Sequence, residues 1–493
     1  MGTSMVRYIA FLLFSTGLFA WACKPLDERA DPNPAKGLRF SADTLLFDTV
    51  FTEQKTITLR LRVYNDNAGT ITLESVALER AGASQFSLSV NGRTGTIQNI
   101  EIMGKDSAYV LISGRLSTTG VDTPLVIEDK VLFTLKGRPA VQHVQIIAKG
   151  QDAYYLNSPD GLIVLNRDTT FSAKKPIVLL SSILVDSLAT LTILPGARLH
   201  FYKDAFLIVR GKLLVNGSCD NRVLFAGTRL EPYYKFVPGQ WGYIGFLKPS
   251  KGNRISYATI ENSLRGIQLD TPGTRTGNID LLLENTQIRN VSDVGIWAFG
   301  ALLTAYNLSV ADCGSSYVAG QIGGRYNLAH CTFAQSGNTP FSRKNPLVLF
   351  TDFYQRDNLT PAVVSATPPV IEMYNNLLSG NLTEELVLAK PTGTNAAIDT
   401  AQIDNNLLSG RRTLALSQTN RWQLGTQRFQ QPSSYDFKPD SAQPGITKSV
   451  GLPVRALGER QVFRAIQNKL YSDYRCNLRD SESPFTGAFE KNK

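Results

Sequence analysis

The hydrophobic positions of this chain follow two rhythms. Between residues 39 and 150, apolar and polar residues alternate. Thr56-Ile-Thr-Leu-Arg-Leu-Arg-Val63 puts Ile57, Leu59, Leu61 and Val63 on one side and Thr58, Arg60 and Arg62 on the other. Ile71 and Leu73, then Val131, Phe133 and Leu135, then Val144 and Ile146 repeat the theme. A period of two belongs to a strand with one buried face. Turn sequences such as Asn65-Asp-Asn-Ala-Gly69 and Asn91-Gly92 separate the runs. Several short strands at this spacing predict an antiparallel β-sandwich over 39–150.

Beyond residue 155 the runs shorten. Leu191–Phe201, Phe206–Gly217, Val223–Phe225, Trp241–Phe246 and Ile255–Ile260 are brief strands broken by Gly and Asn, too short to stand as hairpins. They also resemble one another. Asn285-Thr-Gln-Ile-Arg-Asn290 aligns 22 residues on with Asn307-Leu-Ser-Val-Ala-Asp312, and the next register begins at His330. Ala258–Ile267 joins the same frame, and Asn-Asn-Leu-Leu-Ser-Gly occurs identically at 375–380 and 405–410. A loose repeat of roughly 20–30 residues with short strands in each turn predicts a stacked solenoid. Such a coil cannot bury its apolar residues alone. Stacking predicts an interior ladder of Ile260, Ile288, Val310 and Phe333, with turn asparagines in left-handed backbone bonding to their counterparts one coil on.

The two ends differ from both patterns. Arg7 precedes an apolar run from Ile9 to Ala22 that is shorter than the roughly 20 residues a bilayer span needs, but has the order of a secretory signal peptide. Met5 could serve as the start as well as Met1. Residues 23–38 hold three prolines and several charges and predict an extended tether. At the far end, Gly458–Leu470 predicts a helix with Val462, Phe463, Ile466 and Leu470 near one face. Residues 440–493 are read as a cap over the last open coil, which would otherwise expose apolar core and an unpaired edge.

Composition narrows the class. Charged residues are 19%, and Gly (39), Tyr (18) and Phe (24) are plentiful, as strands and turns require. The formal charge is +10, or +9 once residues 1–22, with Arg7 and no acid, are removed. The basic residues are scattered without a long run, so no nucleic-acid surface is expected, only a mild bias toward polyanions.

These segments resemble known families. Ala20-Trp-Ala-Cys23 resembles the lipobox of bacterial lipoproteins, although Trp21 is bulky where a small residue is usual. It implies diacylglycerol on the Cys23 thiol, cleavage before it and an outer-membrane location; a simple signal-peptide cut leaving a free Cys23 is the alternative. Lys24 with Asp27 and Glu28 resembles the surface-export tag of lipoproteins in the Bacteroidota. The segment FSADTLLFDTVFTEQKTITLRLRVYNDNAGTITLESVAL resembles the immunoglobulin-like domains of envelope proteins, which implies a spacer or docking module. Residues 155–439 are similar to the right-handed parallel β-helix family. Arg479…Pro484-Phe-Thr-Gly-Ala-Phe-Glu490 resembles the closing segment of bacterial β-helix lipoproteins. The implied fold is all-β: an N-terminal immunoglobulin-like β-sandwich, then a right-handed parallel β-helix with a C-terminal cap.

Chemistry is less marked. Beyond Cys23, cysteines 219, 313, 331 and 476 form no CxxC; buried free thiols are expected in preference to disulfides, and the pairing stays open. His143, His200 and His330 fall in different units without ligand spacing, so no metal or cofactor is expected, and no G-x-S-x-G elbow supports a serine triad. The β-helix resemblance implies two chemistries to consider, lyases with Arg or Lys beside Ca²⁺ and hydrolases with clustered aspartates. Candidate groups are Lys251, Arg254, Arg265, Asp270, Arg275, Asp280 and Asp293. The hydrolase signatures are absent, and solvated turn charges are the simpler reading. Tyr233 and Tyr234 in the insertion 228–245 are candidate contacts for sugar rings or a protein partner, whereas Trp241 is expected to pack. The expectation is a membrane-anchored cell-envelope protein that displays a β-helix for glycan or protein binding without catalysis. A polysaccharide lyase or glycoside hydrolase acting on an acidic glycan, and a passive structural component of a surface assembly, are the alternatives.

Overall fold

The computed structural model describes residues 29–118, 120–271, 279–338, 341–355, 361–365, 367–389 and 399–411, and shorter stretches from 414 to 489. Cys23, Lys24, Arg275 and Val462 lie outside the described residues. The chain divides into two compact units, Met1–Asp152 and Ala153–Lys493.

The first unit is a sandwich of two five-stranded sheets. One orders Arg39–Phe40, Leu59–Tyr64, Ser107–Gly114, Phe86–Val90 and Arg93–Thr94; the other orders Thr44–Phe51, Gln142–Gln151, Leu125–Leu135, Ile71–Leu78 and Ile97–Ile102. The alternating residues meet between them: Phe47, Leu61, Val63, Val76, Ile112, Val131, Phe133, Val144 and Ile146 are fully buried. One pairing departs from the antiparallel expectation. The long strands Thr44–Phe51 and Gln142–Gln151 pair in parallel, Leu45 opposite Ile146 and Phe47 opposite Ala148. No hairpin is needed, because the intervening strands carry the chain across the sandwich between them.

Residues 29–38 lie against this unit. Thr70 N–H donates to Arg29 O (2.9 Å) and Asp31 N–H to Thr70 O (2.8 Å). The amides of Asn67 and Gln142 then bond reciprocally to the backbones of Lys36 and Leu38 at 2.7–2.9 Å. Side-chain amides thus stand in for a sheet partner at Lys36 and Leu38.

The second unit is a parallel β-helix. Short strands recur in threes and stack into parallel sheets of eleven, nine and nine strands among the described residues. The predicted ladder forms in register: Ile260 on Ile288, Ile288 on Val310 and Val310 on Phe333. It extends backwards through Phe225, Leu199 and Ile177, and forwards through Leu378 and Leu408 to Trp422. Each rung sealed from water contributes about 1.5–3 kcal/mol. A second ladder runs from Ile163 through Ile183, Leu207, Ile244, Ile267, Ile296, Val318 and Val348 to Leu386.

The turn before the first sheet explains the asparagines. Tyr257, Asn285, Asn307, His330, Asn375 and Asn405 occupy it coil after coil, all with φ between 46° and 58°. Asn is enriched in this left-handed region because its short amide bonds locally. Asn307 Nδ2 donates to Asn285 Oδ1 (2.9 Å), and Asn375 Nδ2 meets His330 Nε2 at 3.2 Å. The two identical hexapeptides stack on each other, Leu377 opposite Leu407, with Asn376 Nδ2 donating to Asn406 Oδ1 at 2.9 Å.

Of the C-terminal segment 440–493, residues 440–451 lie outside the described residues. Its described residues run along the flank of the solenoid, back from the coil of Asn375 to that of Cys219. Leu452 bonds to Asn375, Arg460 donates to Tyr374 OH (3.1 Å), Lys469 to Glu284 Oε1 (2.7 Å), and Cys476 is disulfide-bonded to Cys219. The helix is also in two pieces, an α-helix over Val454–Glu459 and a 3-10 helix over Arg464–Lys469. It starts earlier because Val454 and Leu457 join Phe463, Ile466 and Leu470 over the outward side chains of Tyr306 and Tyr374. The closing motif covers the asparagine row. Arg479 donates to Asn307 Oδ1 (2.8 Å) and Gly487 O (3.1 Å), and Ala488 N–H donates to Thr332 Oγ1 (2.8 Å). The disulfide corrects the thiol reading for two cysteines, since Cys219 and Cys476 meet only because the strap doubles back. Cys313 and Cys331 are free and buried.

Candidate functional site

On the second sheet of the β-helix, inward Ile and Val rungs alternate with an outward row: Val164, Leu184, Ile208, Gly245, Gln268, Trp297, Ala319, Leu349 and Val387 stack in register. Near its middle this face gathers aromatics from separate coils. Trp297 and Phe299 leave the strand Ile296–Phe299 on the same side, with ring centres 5.2 Å apart. Tyr354 sets its edge against both, at 6.0 Å and 5.1 Å. Two and three coils back, Tyr243 and Phe206 form a second edge-to-face pair at 5.1 Å. All five rings are partly exposed.

Arg265 joins the two groups. Its guanidinium lies 4.5 Å from the Trp297 ring centre and 5.6 Å from that of Tyr243. It donates to Asp293 Oδ2 (2.9 Å) and Gln268 Oε1 (2.7 Å), and Gln268 Nε2 donates to Asp270 Oδ2 (2.6 Å). The indole N–H of Trp297 donates to Gln321 Oε1 (2.6 Å). The result is a face of apolar ring surface edged by a continuous row of donors and acceptors. Chemically it can stack on a flat apolar ring face while bonding to hydroxyls at the rim.

The structure therefore brings together Arg265, Asp270 and Asp293 of the sequence candidates and separates the others. Lys251 is exposed at a turn, and Arg254 points outward from the third sheet, donating to Asn216 Oδ1 at 2.6 Å. Asp280 is buried and accepts from Thr271 Oγ1 (3.0 Å) and Leu302 N–H (2.8 Å). Burial raises its carboxyl above the ordinary aspartate range, against the pull of the Leu302 amide. Tyr234 is held beneath Arg229 (4.1 Å), which is paired with Glu231, whereas Tyr233 is 81% exposed. Trp241 is buried, stacked 4.3 Å from Phe201 with its N–H on Glu261 O (2.8 Å). Among the described residues no three His, Cys, Asp or Glu side chains are grouped to hold a metal ion.

Trp297, Phe299, Tyr243 and Tyr354 were not among the sequence candidates. Parity marks the first two: in Gly295-Ile-Trp-Ala-Phe299 the repeat frame turns Ile296 and Ala298 inward, so Trp297 and Phe299 must face out. The approach of Tyr354, more than fifty residues on, had no local signal.

No family model and no curated protein matches the chain. Among solved structures it is similar to a protein of unknown function from Porphyromonas gingivalis W83, at 12% identity over 26% of this chain and 50% of that one, with a TM-score of 0.18. It is also similar to the E. coli chaperone DraB (12% identity, 25% of this chain, 58% of that one, TM-score 0.17). A third likeness is to the ASH/PapD-like domain of human CEP192 (10% identity, 26% of this chain, 92% of that one, TM-score 0.17). The chain spans about half the length of the first of these.

Proposed function

We propose that this is a cell-envelope lipoprotein, anchored through Cys23, that displays its β-helix for glycan contact on the outer face of the second sheet. The observation that carries the reading is the cluster of Trp297, Phe299 and Tyr354 beside the Arg265–Gln268–Asp270 row. The rings pack on one another yet keep part of their surface in solvent. They match the apolar faces of sugar rings, as the polar row matches their hydroxyls. The parallel sheet holds Trp297, Phe299, Gln268 and Asp270 on regular strands, which limits the ordering cost of binding.

The test is to screen the purified chain against neutral and acidic polysaccharides for both binding and cleavage. Trp297→Ala should weaken binding of the retained polysaccharide about tenfold, equivalent to about 1.4 kcal/mol. Undiminished binding in that variant would overturn the site. Turnover that disappears with Asp270→Asn would replace the binding reading with an enzymatic one. The anchor has its own test: Cys23→Ala should release the protein from membranes.

A further inference from the structure

We propose that the first unit carries a second, independent binding surface, for an acidic polysaccharide, on the outer face of the sheet formed by Arg39–Phe40, Leu59–Tyr64, Ser107–Gly114 and Phe86–Val90. Arg60 and Arg62 alternate with the buried Leu61 and Val63, so both project outward, about 7 Å apart along the strand. Across the sheet Arg62 stands opposite Tyr109 and Arg60 opposite Leu111. Tyr109 is 42% exposed and Leu111 40%. The guanidinium of Arg60 lies 5.0 Å from the Tyr109 ring centre, and that of Arg62 lies 5.1 Å and 5.5 Å from Tyr64 and Tyr109. The rings hold the cations in place while leaving their charge unneutralised.

Charge balance separates this face from an ordinary surface. Asp66 is taken up by Arg39 at 2.8 Å and Glu53 by Arg115 at 3.3 Å. No described carboxylate lies within ion-pair distance of Arg60, Arg62 or Lys55. Next along the sheet, Lys55, Arg115, Glu53, Ser87, Ser113 and Gly114 line an open hollow of about 340 Å³. Ser113 stands opposite Ser87 across the strands, and Ser89 opposite Leu111. The surface thus offers unpaired cations, ring faces and hydroxyls in sequence, ending in a concavity with a further free ammonium. An extended acidic polymer with ring faces and hydroxyls matches all three. A planar layer of lipid headgroups would leave the hollow unfilled.

The experiment measures binding of polygalacturonate to the full chain by calorimetry at rising salt, with Arg60→Ser/Arg62→Ser as the test variant. Its fold is checked by circular dichroism. Binding should weaken steeply with salt, because exposed charges are screened, and fall at least tenfold in the double variant. Leu188→Ser, at an exposed turn of the second unit that belongs to neither surface, should leave this binding unchanged. Equal binding by wild type and double variant would overturn the proposal. So would a preference for phosphatidylglycerol vesicles or a single-stranded oligonucleotide over the polysaccharide.

Discussion

The ion pair between Arg343 and Glu385 gives the sharpest test of what holds successive coils together. The two side chains are 2% and 0% exposed and meet in a bidentate pair, Nη1 to Oε2 at 2.8 Å and Nη2 to Oε1 at 2.7 Å. The carboxylate also accepts from Leu347 N–H (3.1 Å) and Leu382 N–H (2.8 Å), so it joins the segment before Val348–Thr351 to the turn before Leu386–Ala389. Replacing Arg343 by Met preserves most of the volume and leaves a buried carboxylate with two amide donors and no counter-charge. That should cost about 3–5 kcal/mol. Arg343→Met with Glu385→Met removes both charges and frees two amides, each costing about 1–3 kcal/mol if it stays dry. The double variant should therefore be no less stable than the single one, despite carrying one more substitution. Urea unfolding followed by tryptophan fluorescence measures both, as a shift of midpoint at constant slope. A single variant that loses less than about 1 kcal/mol would refute the argument, as would a double variant whose losses simply add. Gly380→Ala is an independent check, since a Cβ there would collide with the Glu385 carboxylate and should destabilise the protein.

Other consequences can be measured separately. His200 is buried with Nδ1 on Gly227 O at 2.8 Å, and burial lowers its pKa from 6.5 to about 4. The unfolded chain then takes up a proton before the folded one does. Stability should be full above pH 6.5 and fall as the pH drops toward 4, by at most about 3 kcal/mol, and His200→Gln should flatten that slope. Burial pushes the Cys331 thiol up to about 12 and that of Cys313 well above its usual value. Neither should react with an alkylating reagent in the native protein, and both should on unfolding without reductant; native labelling would refute the burial. Phe333→Ala, in the ladder between Val310 and Leu378, should cost about 3–5 kcal/mol by urea unfolding, whereas Tyr233→Ala should change stability by less than about 0.5 kcal/mol.

Features that are local or repeated are legible in the chain. A period of two assigns each strand residue to a face, so the sandwich core and the Ile260–Phe333 ladder were legible from parity and alignment. Asparagine tolerates left-handed backbone, so its recurrence marked the turn row. The C-terminal motif was recognisable, but its work was not: Arg479 reaches Asn307 across 172 positions of chain. Tertiary structure decided which outward side chains and returning segments meet. It made the C-terminal segment a flank strap, joined Cys219 to Cys476 across 257 residues, and paired the first and last long strands of the sandwich in parallel. It also brought Tyr354 to Trp297 and separated Arg254 from Arg265. Inward positions all bear the same demand for apolar volume and so leave a pattern along the chain. Outward neighbours are set by strand stacking and returning segments, and a local sequence carries no mark of the partner it will meet.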